Sequence, residues 1–145
     1  MKIAVSACLL GRPCRYDGGA KPCAAVLSLA EGNELIPVCP EQLGGLPTPR
    51  EPSEISDGRV RTKTGADVTA AFEAGAEKAL RIALSHGAEA AILKEYSPSC
   101  GVRYVYDGSF TGKKAAGSGV FCRMLREAGL SPVSDESIEE LENRK

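Results

Sequence analysis

The sequence predicts a single α/β domain, residues 1–145, with a largely parallel sheet flanked by helices in a Rossmann-like three-layer arrangement. Short β-forming runs alternate with helical segments along the chain, which is the pattern that parallel α/β sheets produce. One run, 88–93, is almost continuously apolar, as expected of a strand buried on both faces. A length of 145 residues suits one domain that buries roughly 70% of its unfolded surface.

The first half of the chain contains strand candidates and one short helix. Residues 2–7 are rich in β-forming side chains, and 34–38 form a second such run. Between them, 22–30 is a helical stretch of Ala, Leu and Val that a Gly-Asn pair closes. A weak strand at 59–62, which an edge or a loop would also explain, lies within 42–66, an irregular stretch rich in Gly, Pro and charge. Loops of that length in compact domains are usually lids or binding loops.

The second half contains the strongest helix. Apolar side chains recur at helical spacing over 67–85, and a glycine follows as a stop signal. The apolar strand 88–93 comes next, and 102–106 alternates before an Asp-Gly turn signal. The remaining elements are a helix at 119–128, a short strand at 132–134 and an acidic helix at 134–143.

Composition and charge exclude several classes of function. Lys and Arg total 18 and Asp and Glu total 19, so a net charge of −1 attracts neither nucleic acid nor an anionic membrane. Three Phe, four Tyr and no Trp argue against a platform for stacking single strands. No run approaches the ~18 apolar residues of a membrane span, and a signal-peptide pattern is absent. We therefore expect a cytoplasmic protein with no membrane partner. The overall charge gives no reason to expect a nucleic-acid partner, although a local basic patch leaves a tRNA or a nucleotide open.

Six cysteines are the most informative residues. In a reducing cytosol they indicate metal ligands, reactive thiols or small buried side chains. Three of them, Cys8, Cys39 and Cys100, each follow one of the central strand candidates. The carboxyl ends of parallel strands form the ligand crevice of an open α/β sheet, so these thiols are expected to meet there. The full set is Cys8, Cys14, Cys23, Cys39, Cys100 and Cys122.

Three convergent thiols leave several interpretations open. They suit a zinc ion with one free position, or an iron–sulfur cluster in which one iron lacks a protein ligand. They also suit cysteines that merely end buried strands. Cys14 is near enough to Cys8 in sequence to reach the same site. Cys23 and Cys122 are expected to be structural, with Cys122 in the packed core.

Two polar side chains stand beside these cysteines in the sequence. Glu41, two residues after Cys39, is a candidate general acid or base. Ser97, three residues before Cys100, is a candidate for relaying a proton or orienting a substrate. A solvated carboxylate and a turn hydroxyl that bonds the backbone are the plainer alternatives. The combination with three thiols favours an active site.

Six segments of the chain, taken in order, resemble the thiouracil desulfidase family, which was long catalogued only as a domain family of unknown function. The resemblance extends over nearly the whole chain, and the Cys-Pro-Glu and Ser-Pro-Ser-Cys-Gly elements are specific together. The segments are SACLLG at 6–11, CRYDG at 14–18, VCPE at 38–41, LGGL at 43–46, SPSCG at 97–101 and YDGSF at 106–110.

The resemblance implies an α/β fold with a [4Fe-4S] cluster held by cysteines that match Cys8, Cys39 and Cys100. It implies that the fourth iron takes the sulfur of a thiolated uracil, a pairing of soft partners. It also implies that Glu41 and Ser97 occupy the acid–base and proton-relay positions. The implied reaction is hydrolytic and non-redox: thiouracil and water give uracil and hydrogen sulfide. The implied partner is a small-molecule thiolated pyrimidine.

Two other classes of function stay open at this stage. One is a cytosolic thiol-redox or sulfur-transfer protein in which Cys8 and Cys14 are the attacking and resolving thiols. It predicts a colourless protein. The other is a non-catalytic metal-binding module, which predicts bound metal and indifference to replacement of Glu41.

The remaining polar candidates have plainer interpretations. Arg12, Arg15 and Arg50 lie in the loops after the first two strands and are expected to be solvated charges. For a nucleotide or a thiolated tRNA, they would be the residues to bind phosphate. His86, the only histidine, is expected to interact with a helix C-terminus rather than with a metal.

Overall fold

The structure, a computed structural model, describes the backbone of residues 1–144 and the side chains of residues 1–141. Its strands are β1 (Lys2–Ser6), β2 (Glu34–Val38), β3 (Ser53–Ser56), β4 (Arg59–Thr62), β5 (Ala90–Leu93), β6 (Tyr104–Tyr106), β7 (Lys114–Ala116) and β8 (Val133–Ser134). Its helices are α1 (Ala24–Leu27), α2 (Pro40–Leu43), α3 (Thr69–Ser85) and α4 (Val120–Glu127). Segments of 3₁₀ helix span Ala7–Leu10, Ser28–Glu31 and Ile138–Arg144.

The central sheet has four parallel strands in the order β2-β1-β5-β8. In β1, Ile3 lies opposite Leu35 of β2 on one side and Ala90 of β5 on the other. Because the strands run in the same direction, the chain leaves β1, β2 and β5 at one edge, the carboxyl edge. The predicted α/β class, with a parallel sheet flanked by helices, is confirmed.

Alternate side chains of the sheet pack into two layers of core. On one face, Ala4 and Ala91 belong to a buried cluster with Phe72 of α3 and with side chains of α4. On the other face, Ile3 belongs to a second cluster with Val26 of α1. These two layers bury both sides of β5, which explains the continuous apolar run of its sequence.

Two antiparallel hairpins, β3–β4 and β6–β7, form separate two-stranded sheets. The carboxylate of Glu54 joins them, because it accepts the backbone N–H groups of Gly108 and Phe110 at 3.0 and 3.1 Å. The weak strand predicted at 59–62 is β4 of the first hairpin. Strand β7 has no counterpart in the prediction, because its three residues are all exposed and show no alternation.

Two predicted helices differ in type and extent. The stretch 22–30 contains only one turn of α-helix and then continues as 3₁₀ helix, because Val26 is its one buried anchor. The predicted helix 134–143 is also 3₁₀, and it begins at Ile138. Its first residue, Ser134, pairs in β8 instead, and a turn closed by the Ser137 N–H and the Ser134 carbonyl follows.

The short helix α2 lies directly on α3. A Cβ atom at Gly75 of α3 would lie 1.8 Å from the carbonyl oxygen of Pro40 and 2.8 Å from the nitrogen of Gly44. Only glycine allows two backbones to approach so closely. This contact fixes the position of α2, and with it Cys39 and Glu41 at its start.

Candidate functional site

A cavity of about 410 Å³ opens at the carboxyl edge of the sheet. Its inner wall consists of the loops that follow β1, β2 and β5. Its outer wall includes Glu54, Tyr106 and Phe110 from the two hairpins. Six residues on the inner wall are the thiol, carboxyl and hydroxyl candidates of the sequence: Cys8, Cys14, Cys39, Glu41, Ser97 and Cys100.

The three thiols that follow strands in the sequence lie on this inner wall. Cys8 is in the 3₁₀ segment after β1, and Cys39 joins β2 to α2. Cys100 is in a turn of the segment that follows β5. Cys8 and Cys100 are buried, and Cys39 is half-buried. The parallel sheet therefore brings three cysteines that are far apart in sequence to one cavity.

Cys14 is a fourth thiol of the same group. Its hydrogen bond with Cys39 lowers the pKa of Cys14, but the contact with Cys8 and burial outweigh this, so that pKa is raised. The hydrogen bond with Cys14 and burial raise the pKa of Cys39 strongly. Both thiols are therefore protonated in the metal-free protein, and a metal ion would have to displace those protons.

The Cys100 thiol is buried at the cavity wall. Burial raises the pKa of Cys100 to about 12, although hydrogen bonds with the hydroxyls of Ser6 and Ser99 lower it in part. The Ser99 hydroxyl lies 3.6 Å from the Cys100 sulfur. Hydroxyl donors that reach a sulfur stabilise its thiolate once a metal has displaced the proton.

Across the described side chains, residues 1–141, no group of three or more His, Cys, Asp or Glu residues is arranged to hold a single metal ion. His86 is remote from the thiols at the end of α3. Its Nδ1 lies 2.8 Å from the carbonyl oxygen of Ile82, in the last turn of its own helix. The predicted interaction with a helix C-terminus is confirmed for this residue.

Glu41 is held at both carboxylate oxygens. Arg50 donates from Nε to Oε1 at 3.1 Å, and its Nη2 is 3.1 Å from the same oxygen. The Ser99 hydroxyl donates to Oε2 at 3.0 Å. The plainer sequence interpretation, a solvated loop carboxylate, does not describe a side chain that is only 15% exposed and bonded in this way.

Ser97 occupies the centre of the turn that carries Cys100. Its hydroxyl oxygen accepts the N–H groups of Ser99 and Cys100 at 3.2 and 3.1 Å and lies 3.0 Å from the Ser99 hydroxyl. Because Ser99 gives its proton to Glu41, Ser97 gives its own to Ser99. A chain of hydroxyl groups thus leads from Ser97 through Ser99 to Glu41, and sequence reasoning missed its middle member.

Glu95 secures the loop on which these serines lie. The side chain is 3% exposed, and Oε1 accepts the backbone N–H groups of Val102, Arg103 and Tyr104 at 2.7, 3.0 and 3.2 Å. Burial raises the pKa of Glu95, but these donors and Ser134 outweigh it, so the pKa lies below its ordinary value. Glu95 lies at the start of the loop between β5 and β6, and its ionised carboxylate binds the backbone at the end of that loop.

Aromatic side chains from this loop and from the second hairpin also line the cavity. The rings of Tyr96 and Tyr106 are 6.1 Å apart, and the Lys114 ammonium lies 3.8 Å from the centre of the Tyr96 ring. Phe110 completes this side. The Lys114 ammonium covers one face of the Tyr96 ring, so this part of the cavity combines aromatic surface with positive charge. The sequence signal for Tyr106 and Phe110 was the YDGSF segment, whose residues were quoted without an individual role, and Tyr96 had no such signal.

The other sequence candidates lie outside this group or at its margin. Cys122 is completely buried in α4, as predicted, and Cys23 is half-buried just before α1. Arg12 is exposed, and Arg15 lines the cavity while its guanidinium lies 5.8 Å from the Tyr16 ring. Cys122 and Cys23 therefore need no role in the chemistry.

A family model described as 2-thiouracil desulfurase matches residues 3–137 of the chain. The chain belongs to the 2-thiouracil desulfurase family. The resemblance inferred from the six sequence segments is thereby confirmed, and so is the expectation that the protein is an enzyme of the desulfidase class. The residues that the match spans include every cysteine of the cavity and both hairpins.

Two relatives of this desulfurase chain are informative. A protein of Bacillus subtilis (strain 168), the uncharacterized protein YbbK, is 40% identical over 149 residues, which cover 96% of this chain and 99% of YbbK. A solved structure of the [4Fe-4S]-dependent thiouracil desulfidase TudS is 48% identical, with a TM-score of 0.90. That likeness covers 97% of this chain and 94% of TudS.

In residues 1–144, none of the helices combines the length and the apolar composition that crossing a bilayer requires.

Proposed function

We propose that this protein is a [4Fe-4S]-dependent thiouracil desulfidase, in which Cys8, Cys39 and Cys100 hold the cluster. The observation that carries the proposal is the grouping of these thiols in one cavity that a carboxylate and aromatic rings also line. The relation to TudS, at 48% identity over almost the full length of both chains, supports the same cofactor and substrate class. We further propose that residues 1–145 act as one domain, in the cytoplasm.

The donor set of the cavity fits such a cluster. Thiolates are the usual protein ligands of iron–sulfur clusters, and each thiolate binds a different iron, so the three sulfurs do not need to meet at one ion. Cys8, Cys39 and Cys100 come from three separate loops around the cavity wall, which is the arrangement that this mode of binding requires. Hydroxyl donors to the Cys100 sulfur add support for the thiolate form.

The reaction is balanced without a redox partner: thiouracil and water give uracil and hydrogen sulfide. When bound, the cluster supplies a soft Lewis-acidic iron that polarises the carbon–sulfur bond. The protein's own groups supply the proton transfers. Glu41 accepts a proton from the water that attacks the ring carbon and returns it as sulfide leaves. Ser97 relays protons to and from Glu41 through Ser99, while the Tyr96 and Tyr106 side holds the ring.

The test is anaerobic purification and reconstitution with iron and sulfide, followed by a visible spectrum and sulfide release from 2- and 4-thiouracil. Replacing Cys8, Cys39 or Cys100 by Ala should abolish the visible absorbance, whereas Cys122→Ala, a change in the core, should keep it. Glu41→Gln should keep the absorbance and reduce sulfide release by roughly 10²- to 10⁴-fold, the usual contribution of a general acid–base. An intact spectrum in any of the three cavity variants would refute the ligand assignment.

One observation favours a second candidate, thiol exchange. Cys14 and Cys8 are both buried on the wall of the same cavity, which is where an attacking and a resolving thiol would have to lie. The raised pKa of Cys14 weighs against it, because the thiolate is the reactive form. A colourless protein that refuses iron and exchanges with a small disulfide would establish this candidate, and a brown protein that releases sulfide would exclude it.

A further inference from the structure

Arg50 lines the cavity and forms hydrogen bonds through all three of its guanidinium nitrogens. It is 8% exposed, and each of its three guanidinium nitrogens faces a protein acceptor. Nε donates to Glu41, and Nη1 donates to the carbonyl of Pro47 and the hydroxyl of Thr48 at 3.1 and 3.0 Å. Nη2 donates to the carbonyl of Cys14 at 3.0 Å and lies 3.1 Å from Glu41.

Because all the donors of Arg50 are already bonded, its two possible roles, binding a ligand and positioning Glu41, can be distinguished. A guanidinium has five N–H donors, and a phosphate ligand must keep some of them pointing into the cavity. The donors of Arg50 are directed instead at the loops that build the cavity wall. We infer that Arg50 is a positioning residue: it holds the carboxylate of Glu41 in its working orientation and does not bind substrate. This inference rests on the proposed role of Glu41 as the general acid–base.

The geometry explains why the position calls for arginine. Its planar fork reaches four acceptors, which lie on α2, on the loop after α2 and on the loop after β1, whereas lysine offers only a point charge on a flexible stem. Ser99 holds the other oxygen of Glu41, so the plane of the carboxylate is fixed from both sides. A shift of about 1 Å in a reacting group can cost roughly 100-fold in rate. Arg50 is the residue that prevents such a shift.

Arg50 also links Glu41 to the thiol loops. It bonds the backbone of Cys14, and the Cys39 thiol lies 3.8 Å from that same carbonyl oxygen. The Arg50 N–H donates to the Tyr16 carbonyl at 2.7 Å, which ties the loop after β1 to the loop after α2. We call this set of bonds from Arg50 to Glu41 and to the two loops the clamp. The clamp holds the Glu41 carboxylate at a fixed position relative to the cysteines.

The test is a steady-state comparison of reconstituted Arg50→Lys and Arg50→Met with the wild type. We expect kcat to fall roughly 100-fold in both variants, with KM within about threefold of the wild type and the visible absorbance per chain unchanged. A matched control exists in the Arg59–Asp67 pair, which is 2.9 Å apart but 51% and 39% exposed and outside the cavity. Arg59→Met should leave kcat and KM unchanged. A large rise in KM with kcat unchanged would overturn the inference, because it would make Arg50 a substrate ligand.

A double-variant cycle tests whether Arg50 acts through Glu41. If it does, Arg50→Met combined with Glu41→Gln should be no slower than Glu41→Gln alone, within about threefold. A further loss of tenfold or more in the double variant would overturn the inference. The same variants can be compared by thermal unfolding without the cluster. The double variant should then lower Tm by less than the sum of the decreases that the two single variants cause. Additive losses in Tm would contradict the clamp.

These readouts separate the two proposals. If the wild type releases no sulfide from thiouracil, or if Glu41→Gln turns over normally, the proposed function fails. The unfolding cycle still measures the clamp in that case, because it needs neither the cluster nor turnover.

Discussion

Ser99 is the hydroxyl group that connects the acid–base candidate with the thiol wall. It is 2% exposed, donates to Glu41 and lies within hydrogen-bond reach of both Ser97 and the Cys100 sulfur. A hydroxyl has only one proton to donate, so its bond to Glu41 and its bond to the sulfur alternate. The state of the Cys100 sulfur and the state of the carboxylate are therefore coupled through one atom.

Replacing Ser99 by Ala should slow sulfide release without removing the cluster. The Ser99→Ala variant leaves Glu41 Oε2 without its donor, and the loss of one hydrogen bond to a charged group is worth about 2 kcal/mol, or roughly 30-fold. The measurement is kcat at matched visible absorbance per chain. Ser97→Ala provides the comparison: it should reduce the absorbance itself, because the Ser97 oxygen accepts the Cys100 N–H. Normal turnover in Ser99→Ala would exclude Ser99 from the proton path.

At this scale the sequence predicted that the three thiols would meet at one edge of the sheet, and it missed the hydrogen bonds that connect the residues there. Glu41 and Ser97 were identifiable because each stands within three residues of a cysteine that follows a strand. Arg50 stands eleven residues after Cys39, in the irregular stretch 42–66, and nothing in its surroundings distinguishes it from a solvated arginine. Its importance arises only from the folding of that stretch back over the loop that carries Cys14.

Glu95 organises the element that carries Ser97, Ser99 and Cys100. That segment, between β5 and β6, has little regular structure of its own, so its backbone donors need another acceptor. The ionised carboxylate of Glu95 is that acceptor. The order of the whole loop therefore depends on the charge state of a single buried side chain.

Glu95→Gln should lower the free energy of unfolding by about 2 kcal/mol at pH 7, since hydrogen bonds to a charged acceptor are the stronger ones. The pKa of Glu95 is lowered in the folded protein, so its contribution is present above the ordinary pKa of a glutamate and is lost as pH falls through the lowered value. Urea unfolding of the wild type and the variant should therefore give free energies of unfolding that converge as pH falls from neutral to below the ordinary pKa of a glutamate. A constant difference over that range would show that the charge of Glu95 is not the cause.

Among the elements, the strongly patterned ones were predictable and the weakly anchored ones were not. Strand β5 and helix α3 carry an apolar run and a helical repeat, and both appear within two residues of the predicted bounds. The stretch 22–30 has helical composition but only one buried side chain, Val26, and it continues as 3₁₀ helix; the stretch 134–143 is 3₁₀ helix from Ile138. Local propensity alone does not fix a helix whose tertiary contacts are few.

At the scale of the whole molecule, the backbone contact between α2 and α3 positions one part of the cavity wall. Both Cys39 and Glu41 depend on α2, which has four residues and is held in place by backbone contact at Gly75. Sequence periodicity placed Gly75 on the buried face of its helix but gave no reason for a glycine there. The reason is the carbonyl of Pro40, which occupies the space where a side chain would stand.

Gly75→Ala should destabilise the protein although alanine favours helix. The gain in helix propensity is about 1 kcal/mol, whereas overpacking against backbone costs typically 1–3 kcal/mol and displaces α2. We expect a lower urea midpoint and less visible absorbance after reconstitution. Gly117→Ala is the control, because its added Cβ would lie 3.5 Å from the nearest atom, Cγ2 of Val105. If Gly75→Ala equals the wild type in both measurements, α2 is not positioned by this contact.

The joining of the two hairpins by Glu54 has an evolutionary consequence. The reactive groups stand on loops anchored in the parallel sheet, while the opposite side of the cavity belongs to two small sheets linked to each other. Mutations in the hairpins can therefore remodel the mouth of the enzyme while its reactive machinery is inherited unchanged. Such a division lets one ancestral catalyst diversify over ligands of different outline, and it makes residues 104–116 the natural segment to randomise when a new specificity is selected in the laboratory.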